Sequence, residues 1–110
     1  MKSLAAALLC LLACASHADV NADKLAFDAH CAKCHGATGT GTFMLGRRLG
    51  ENDAMLEQRA DLAPELIRHA VRHGIVSMPA ITRVEVTDAE LDAIVRYLTR
   101  RSAPALTTNP

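Results

Sequence analysis

The clearest pattern of apolar and polar positions lies near the C-terminal end of the chain. Thr87 and Glu90 have the spacing of a capping box, in which each side chain accepts a hydrogen bond from the other residue's backbone. Val86 and Leu91 flank that box as a hydrophobic staple. The pattern therefore predicts a helix with one buried face, built from apolar residues at helical spacing: Leu91, Ile94, Val95 and Leu98.

A second helix is predicted over Asp61–His73. Pro64 suits its first turn, and Gly74 suits the position just after its last turn. Its apolar stripe consists of Leu66, Ile67, Ala70 and Val71.

The opposite face of this helix carries four basic or titratable side chains, namely Arg68, His69, Arg72 and His73. His69 and His73 have the spacing of a metal-binding pair. Because arginines share that face, we interpret it as a solvated surface instead.

The remaining segments have weaker signals. Asn21–Lys33 predicts a short helix, and Asn52–Ala60 predicts a further helical turn around Met55 and Leu56. Gly36–Gly50 contains five glycines and no clear period, so we expect a loop able to lie close against a flat ligand. Since no segment alternates between apolar and polar residues, the predicted fold class is all-α.

The first 18 residues are typical of a secretory signal peptide. Lys2 precedes the apolar run Leu4–Ala13, and Ala18 ends a small-residue cleavage site. A run of this length is too short for a transmembrane helix, which needs roughly 20 residues. The alternative is a lipoprotein signal, in which Cys14 would carry the lipid. Either interpretation exports the domain, and we expect a bacterial periplasmic location.

Composition limits the rest of the chain to one small domain, predicted over residues 19–101 with a disordered tail over 102–110. The chain has 12 basic and 12 acidic side chains, which argues against a nucleic-acid-binding protein. Phe27, Phe43 and Tyr97 are its only aromatic residues. So small a core usually needs a metal, a disulfide or a cofactor for stability.

Cys31, Cys34 and His35 form a C-x-x-C-H motif. Two thiols on one helical turn can each add to a vinyl group of a haem, and the following histidine can supply an axial nitrogen to its iron. A thioredoxin-like motif would accompany a βαβ pattern, and a structural zinc site would need four ligands. A plain disulfide would leave the glycine-rich segment unexplained. The motif therefore predicts a covalently attached haem.

A second axial ligand must come from elsewhere in the chain. Met78 is the strongest candidate, because Met78 and Pro79 follow Gly74 in a segment without helical period. Met44 and Met55 are interpreted as packing residues. We assign no ligand role to His30, His69 or His73.

The sequence resembles the class I, or mitochondrial-type, cytochromes c over nearly its whole exported length. The resemblance rests on the haem motif near the start, on Met78-Pro79, and on the closing helix with Tyr97. It implies one haem c with His35 and Met78 as its axial ligands, and a crossing of the first and last helices at Phe27 and Tyr97. A weaker resemblance links the segment from Gly46 to Ala80 with the cytochrome subunits of p-cresol methylhydroxylase-type flavoenzymes.

The same resemblance assigns roles to further residues. Arg47 matches an arginine that contacts a haem propionate, with Arg48 as the alternative. Thr42 stands where the family often has a proline whose carbonyl holds the axial histidine. Asp23 replaces the usual glycine of the helix crossing, which suggests that the crossing shifts towards Ala22 or Ala26.

We therefore expect an electron carrier and not an enzyme, with no nucleic-acid partner and no transmembrane span. Its expected partners are a dehydrogenase donor and an oxidase or another cytochrome as acceptor. One alternative is a permanent subunit of a flavin- or quinone-dependent dehydrogenase. A second is a gas sensor or peroxidase-like enzyme with a labile sixth ligand.

Overall fold

A computed structural model describes residues 20–102, and within that range the chain is almost entirely helical. Helix α1 covers residues 20–30. It is followed by α2 (Ala32–His35), α3 (Thr40–Leu49), α4 (Pro64–His73) and α5 (Asp88–Thr99), with single 3₁₀ turns at Glu51–Asp53 and Leu56–Gln58. The described part contains no β-strand, and its one isolated bridge joins Ile75 and Met78. The all-α prediction is confirmed.

The predicted signal peptide over residues 1–18, the lipoprotein alternative at Cys14 and the tail beyond Ser102 lie outside the described residues. Among the helices of the described part, none has both the length and the apolar character needed to cross a membrane.

Helix α5 begins and packs as its sequence predicts. The Thr87 hydroxyl accepts from the Glu90 N–H at 3.2 Å, and the Glu90 carboxylate accepts from the Thr87 N–H at 2.8 Å. These bonds satisfy backbone donors that the first helical turn leaves without partners. The predicted stripe is buried, and Tyr97 is buried with it.

Helices α1 and α5 cross at an aromatic contact. The Phe27 and Tyr97 rings have centroids 5.5 Å apart, which confirms the predicted pair. Asp23 is buried at this crossing and accepts two hydrogen bonds from the Arg96 guanidinium, at 3.0 and 2.7 Å. Ala26 packs against the core. A carboxylate thus fits at the crossing because an arginine of the partner helix neutralises it.

Helix α4 starts at Pro64, three residues later than predicted, because Ala63 before the proline is extended and proline disfavours a helical conformation in the residue that precedes it. Its end agrees with the prediction, since Gly74 adopts a φ of +76° that favours glycine. Ile67 and Val71 are its buried residues.

Two predictions for single side chains are wrong. The Arg72 side chain is only 12% exposed, because α4 turns it towards Ile81 and Asp88, although it was predicted to be solvated. Met44 is 50% exposed and is not a packing residue. His69 and His73 are exposed as predicted, and their rings stack on each other.

The loop predicted over Gly36–Gly50 is wrong for most of its length, because residues 40–49 form helix α3. Glycines lowered the apparent helical tendency of this segment. In the structure, two of these glycines allow close packing of α3 against α2. A Cβ on Gly39 would lie 2.2 Å from the Cys34 carbonyl oxygen, and one on Gly41 would lie 2.8 Å from it. Only glycine lets α3 begin this close to α2.

Candidate functional site

Of the two cysteines of the motif, Cys31 lies between α1 and α2, and Cys34 lies within α2. The Cys31 N–H still donates to the Phe27 carbonyl of α1, at 2.8 Å. The N–H groups of Cys34 and His35 both donate to the Cys31 carbonyl, at 3.1 and 2.8 Å. This single tight turn brings the three functional side chains of the motif together.

Cys31 is half-buried and Cys34 is exposed, and neither forms a disulfide. Burial, with a smaller contribution from Cys34, raises the pKa of Cys31 to about 11. A redox-active C-x-x-C motif would lower the pKa of a cysteine, so this environment does not fit a thioredoxin-like function. Within residues 20–102, no group of three or more His, Cys, Asp or Glu side chains is placed to hold a metal ion.

The His35 ring packs against the backbone of α3. A Cβ added at Gly41 would lie 3.0 Å from its Cε1 atom and 3.1 Å from its Nδ1 atom. Burial lowers the pKa of His35, which favours the neutral form of the imidazole. Neutral imidazole is the form that coordinates a metal.

In the family, a proline at the position of Thr42 often holds the axial histidine through its carbonyl. Here, with Thr42 at that position, His35 Nδ1 is buried with no hydrogen-bond partner among the described residues. Thr42 contributes through its side chain, whose buried hydroxyl donates to the Gly36 carbonyl at 2.7 Å. That bond joins α3 to the residue just after His35.

An apolar cavity of about 300 Å³ lies between the helices. Three of the predicted site residues, Cys31, His35 and Met78, line it together. Its other walls come from α1, α3, α4 and α5 and include Phe27, Leu45, Ile67, Val71, Ile94 and Leu98. Cys34 does not line the cavity.

Met78 reaches this cavity from a tight turn that follows α4. The Ile75 N–H donates to the Met78 carbonyl at 3.0 Å, and the Met78 N–H donates to the Ile75 carbonyl at 2.9 Å. Val76, inside the turn, has a φ of +55°, a strained conformation for a β-branched residue. Gly74 has no space for a side chain, because its Cβ would lie 2.7 Å from the Met78 carbonyl oxygen.

Arg47, the residue predicted to contact a propionate, does not line this cavity. Its guanidinium lies over the Phe43 ring, 5.9 Å from the centroid, beside a separate hollow of about 430 Å³. Arg48, the alternative, does line the cavity. Adjacent residues of a helix differ by about 100° in direction, so α3 places Arg48, and not Arg47, at the cavity wall.

Arg59 also lines the cavity, and the sequence analysis missed it. Its side chain is 14% exposed, and two of its nitrogens donate to Asp61. The sequence signal for a buried Arg59 was the aspartate two residues later, because a neighbouring carboxylate allows an arginine to be buried.

These residues fit a haem. The cavity is apolar, the half-buried imidazole of His35 forms part of its wall, and the thioether of Met78 reaches the same space. Cys31 lies one turn before His35 and Cys34 lies directly before it, while Arg48 and Arg59 place guanidinium groups at the cavity wall. An all-helical domain with this site defines a small c-type cytochrome.

The family model described as "Cytochrome C oxidase, cbb3-type, subunit III" matches residues 18–98. The chain therefore belongs to this cytochrome c family, and its general function is electron transfer with redox partner proteins. Comparisons with curated proteins and with solved structures gave no match.

Proposed function

We propose that the chain is a single-haem electron carrier of the bacterial periplasm, of the class I type. The haem is attached to Cys31 and Cys34, and its iron is coordinated by His35 and Met78. The observation that carries this proposal is that one apolar cavity brings Cys31, His35 and Met78 together. When bound, the haem supplies one-electron exchange between ferrous and ferric iron.

His35 and the cysteines fix the cofactor on one side. Because the Nδ1 edge of the His35 ring packs against α3, Nε2 is the nitrogen available to iron. Burial lowers the pKa of His35, which reduces the competition between a proton and the iron for this imidazole. Because Cys34 is exposed, a haem attached to it would be within reach of a partner protein for electron exchange.

Met78 and the apolar walls set the redox behaviour. A thioether ligand favours the reduced iron and raises the potential, and so does a cavity that excludes water. Two protein ligands leave no free position for a substrate, which distinguishes this function from that of a gas sensor or peroxidase. We assign Arg48 and Arg59 to the propionates, because both line the cavity.

The second candidate is a cytochrome subunit held permanently in a larger oxidoreductase. The description of the matching family, which names an oxidase subunit, favours it. A dehydrogenase with a flavin or quinone cofactor, such as the p-cresol methylhydroxylase type, is another host. Sizing the holoprotein from a native extract separates the two functions, since a free carrier elutes as a small protein without a flavoprotein or oxidase.

The cofactor is tested by exporting the full chain in a bacterium that carries a cytochrome c maturation system. The intact mass of the product should equal the processed chain plus one haem, and a redox difference spectrum should show a c-type haem. Cys31→Ala with Cys34→Ala should lose the covalent mass. A colourless product with two thiols that react freely would refute the proposal.

The same mass spectrum tests export. A chain that begins at Asp19 would support cleavage after Ala18, whereas a lipidated chain that begins at Cys14 would support the anchored alternative.

A further inference from the structure

Residues 74–81 form a lobe that carries Met78, and both of its ends are hydrogen-bonded to α4. At the first end, the Gly74 N–H donates to the Ala70 carbonyl at 2.9 Å. At the second end, the Ile81 N–H donates to the Val71 carbonyl at 2.7 Å. The lobe therefore leaves the last turn of α4 and returns to it.

The second end has an additional bond from a side chain. The Arg72 guanidinium donates through one amino group to the Ile81 carbonyl at 3.1 Å. Its other amino group donates to the Asp88 carboxylate at 2.8 Å. Arg72 thus ties the closing end of the lobe to the first residue of α5.

This arrangement suits arginine and not lysine. A planar guanidinium has several donors in fixed directions, so it can serve a carbonyl and a carboxylate at once. The Arg72 side chain is nearly buried, and a bond of this kind is stronger where little water competes.

We propose that Arg72 is a positioning residue for Met78, because it holds the Met78 lobe closed against α4 and α5. The proposal rests on the proposed ligation by His35 and Met78. Without the Arg72 bonds, the lobe opens more often, and Met78 leaves the iron more often.

Arg68 provides a matched control. It lies one turn earlier on α4 and pairs with Asp92 of α5, so it makes the same kind of interhelical ion pair. Its described hydrogen bond goes to Asp92 and not to the lobe. Replacing Arg68 removes charge and an interhelical contact from the same helix, but leaves the closing end of the lobe intact.

The experiment measures binding of imidazole to the ferric holoprotein, because imidazole can occupy the iron only when Met78 has left it. In Arg72→Ala, the apparent binding constant should rise about tenfold, the effect expected for a lost hydrogen bond to a charged group. In Arg68→Ala, it should stay within about twofold of the wild type, as for an exposed ion pair. An equal change in both variants would overturn the proposal.

A second pair of variants covers the case in which Arg72→Ala yields no holoprotein. Arg72→Lys keeps the charge but cannot hold both partners, so imidazole should bind more tightly than in Arg68→Lys. Equal binding in these two variants would also overturn the proposal.

Met78→Ala separates this inference from the proposed function. It should bind imidazole more tightly than any other variant. If it binds no better than the wild type, Met78 is not the ligand and the proposed ligation fails. If it binds tightly while the Arg72 and Arg68 variants agree with each other, only the role of Arg72 fails.

Discussion

The two sides of the cavity are held in place by different means. His35 lies on the short helix α2. The backbone of α3 contacts α2 directly, because Gly39 and Gly41 have no side chains. Met78 lies on a turn outside any helix, and side-chain donors from Arg72 secure the far end of its lobe.

This difference separates a rigid side from one that can open. Close backbone packing has no alternative arrangement, so the His35 side should stay formed until the domain unfolds. Hydrogen bonds from one side chain can break and reform without loss of the core, so the Met78 side should open locally. The following predictions test this contrast, beginning with the largest expected effect.

Gly39→Ala should disrupt the His35 side most strongly. Its Cβ would lie 2.2 Å from the Cys34 carbonyl oxygen, a contact that forces backbone movement. We expect a loss of about 3 kcal/mol in the free energy of unfolding, measured by urea denaturation, and a low yield of holoprotein.

Gly46→Ala is the control for this substitution. It lies within α3, and its Cβ would only touch the Ala54 side chain at 3.4 Å. Alanine is the better helix former by roughly 0.5–1 kcal/mol, so this variant should be at least as stable as the wild type. Equal stability of Gly39→Ala and Gly46→Ala would contradict the described packing of α3 on α2.

Val76→Gly should stabilise the Met78 side. Val76 has a φ of +55°, which is strained for valine and free for glycine, and it is 79% exposed. We expect the melting temperature to rise, with a gain of about 1 kcal/mol.

Val84→Gly serves as the comparison, because Val84 is 95% exposed and does not have a positive φ. It should be neutral or destabilising, since glycine adds freedom to the unfolded chain. If both glycine variants change stability equally, strain at Val76 is not the cause.

Lowering the pH should weaken the hydrogen bond between Arg72 and Asp88, and with it the Met78 side. Hydrogen bonds from Arg83 and then from Arg72 lower the pKa of the Asp88 carboxyl below its usual 3.8. Its contribution to stability is therefore present above pH 3.8 and is lost as the pH falls through the lowered pKa.

The stability difference between the wild type and Asp88→Asn measures this contribution. It should be small, because the carboxylate is exposed to solvent, and it should shrink further as the pH falls below 3.8. A difference that stays constant with pH would show that the carboxylate charge is irrelevant there.

Helices with strong end signals could be predicted from the sequence. The capping box of α5 is local chemistry between Thr87 and Glu90, and it forms as expected. Gly74 ends α4 for an equally local reason, namely a left-handed backbone conformation. The Phe27–Tyr97 contact followed from the resemblance to the class I cytochromes, and the structure bears it out.

Apart from that contact, features that depend on tertiary packing could not be predicted. Helix α3 contains glycines that lower its intrinsic helical tendency. The need for glycine becomes clear only from the structure, where the Cys34 carbonyl and the His35 ring leave no space for a side chain. Arg72 appeared to belong to a polar face, because its partners Ile81 and Asp88 lie outside α4. The resemblance ranked Arg47 above Arg48, but only Arg48 lines the cavity, because adjacent residues of a helix point in different directions.

The near-infrared spectrum of the ferric protein tests the central claim most directly. A thioether bound to ferric haem gives a charge-transfer band that other axial ligands do not give. The wild type should show this band, Met78→Ala should lose it, and Met55→Ala should keep it, because Met55 does not line the cavity. A wild-type spectrum without the band, or a Met78→Ala spectrum that retains it, would contradict the proposed site.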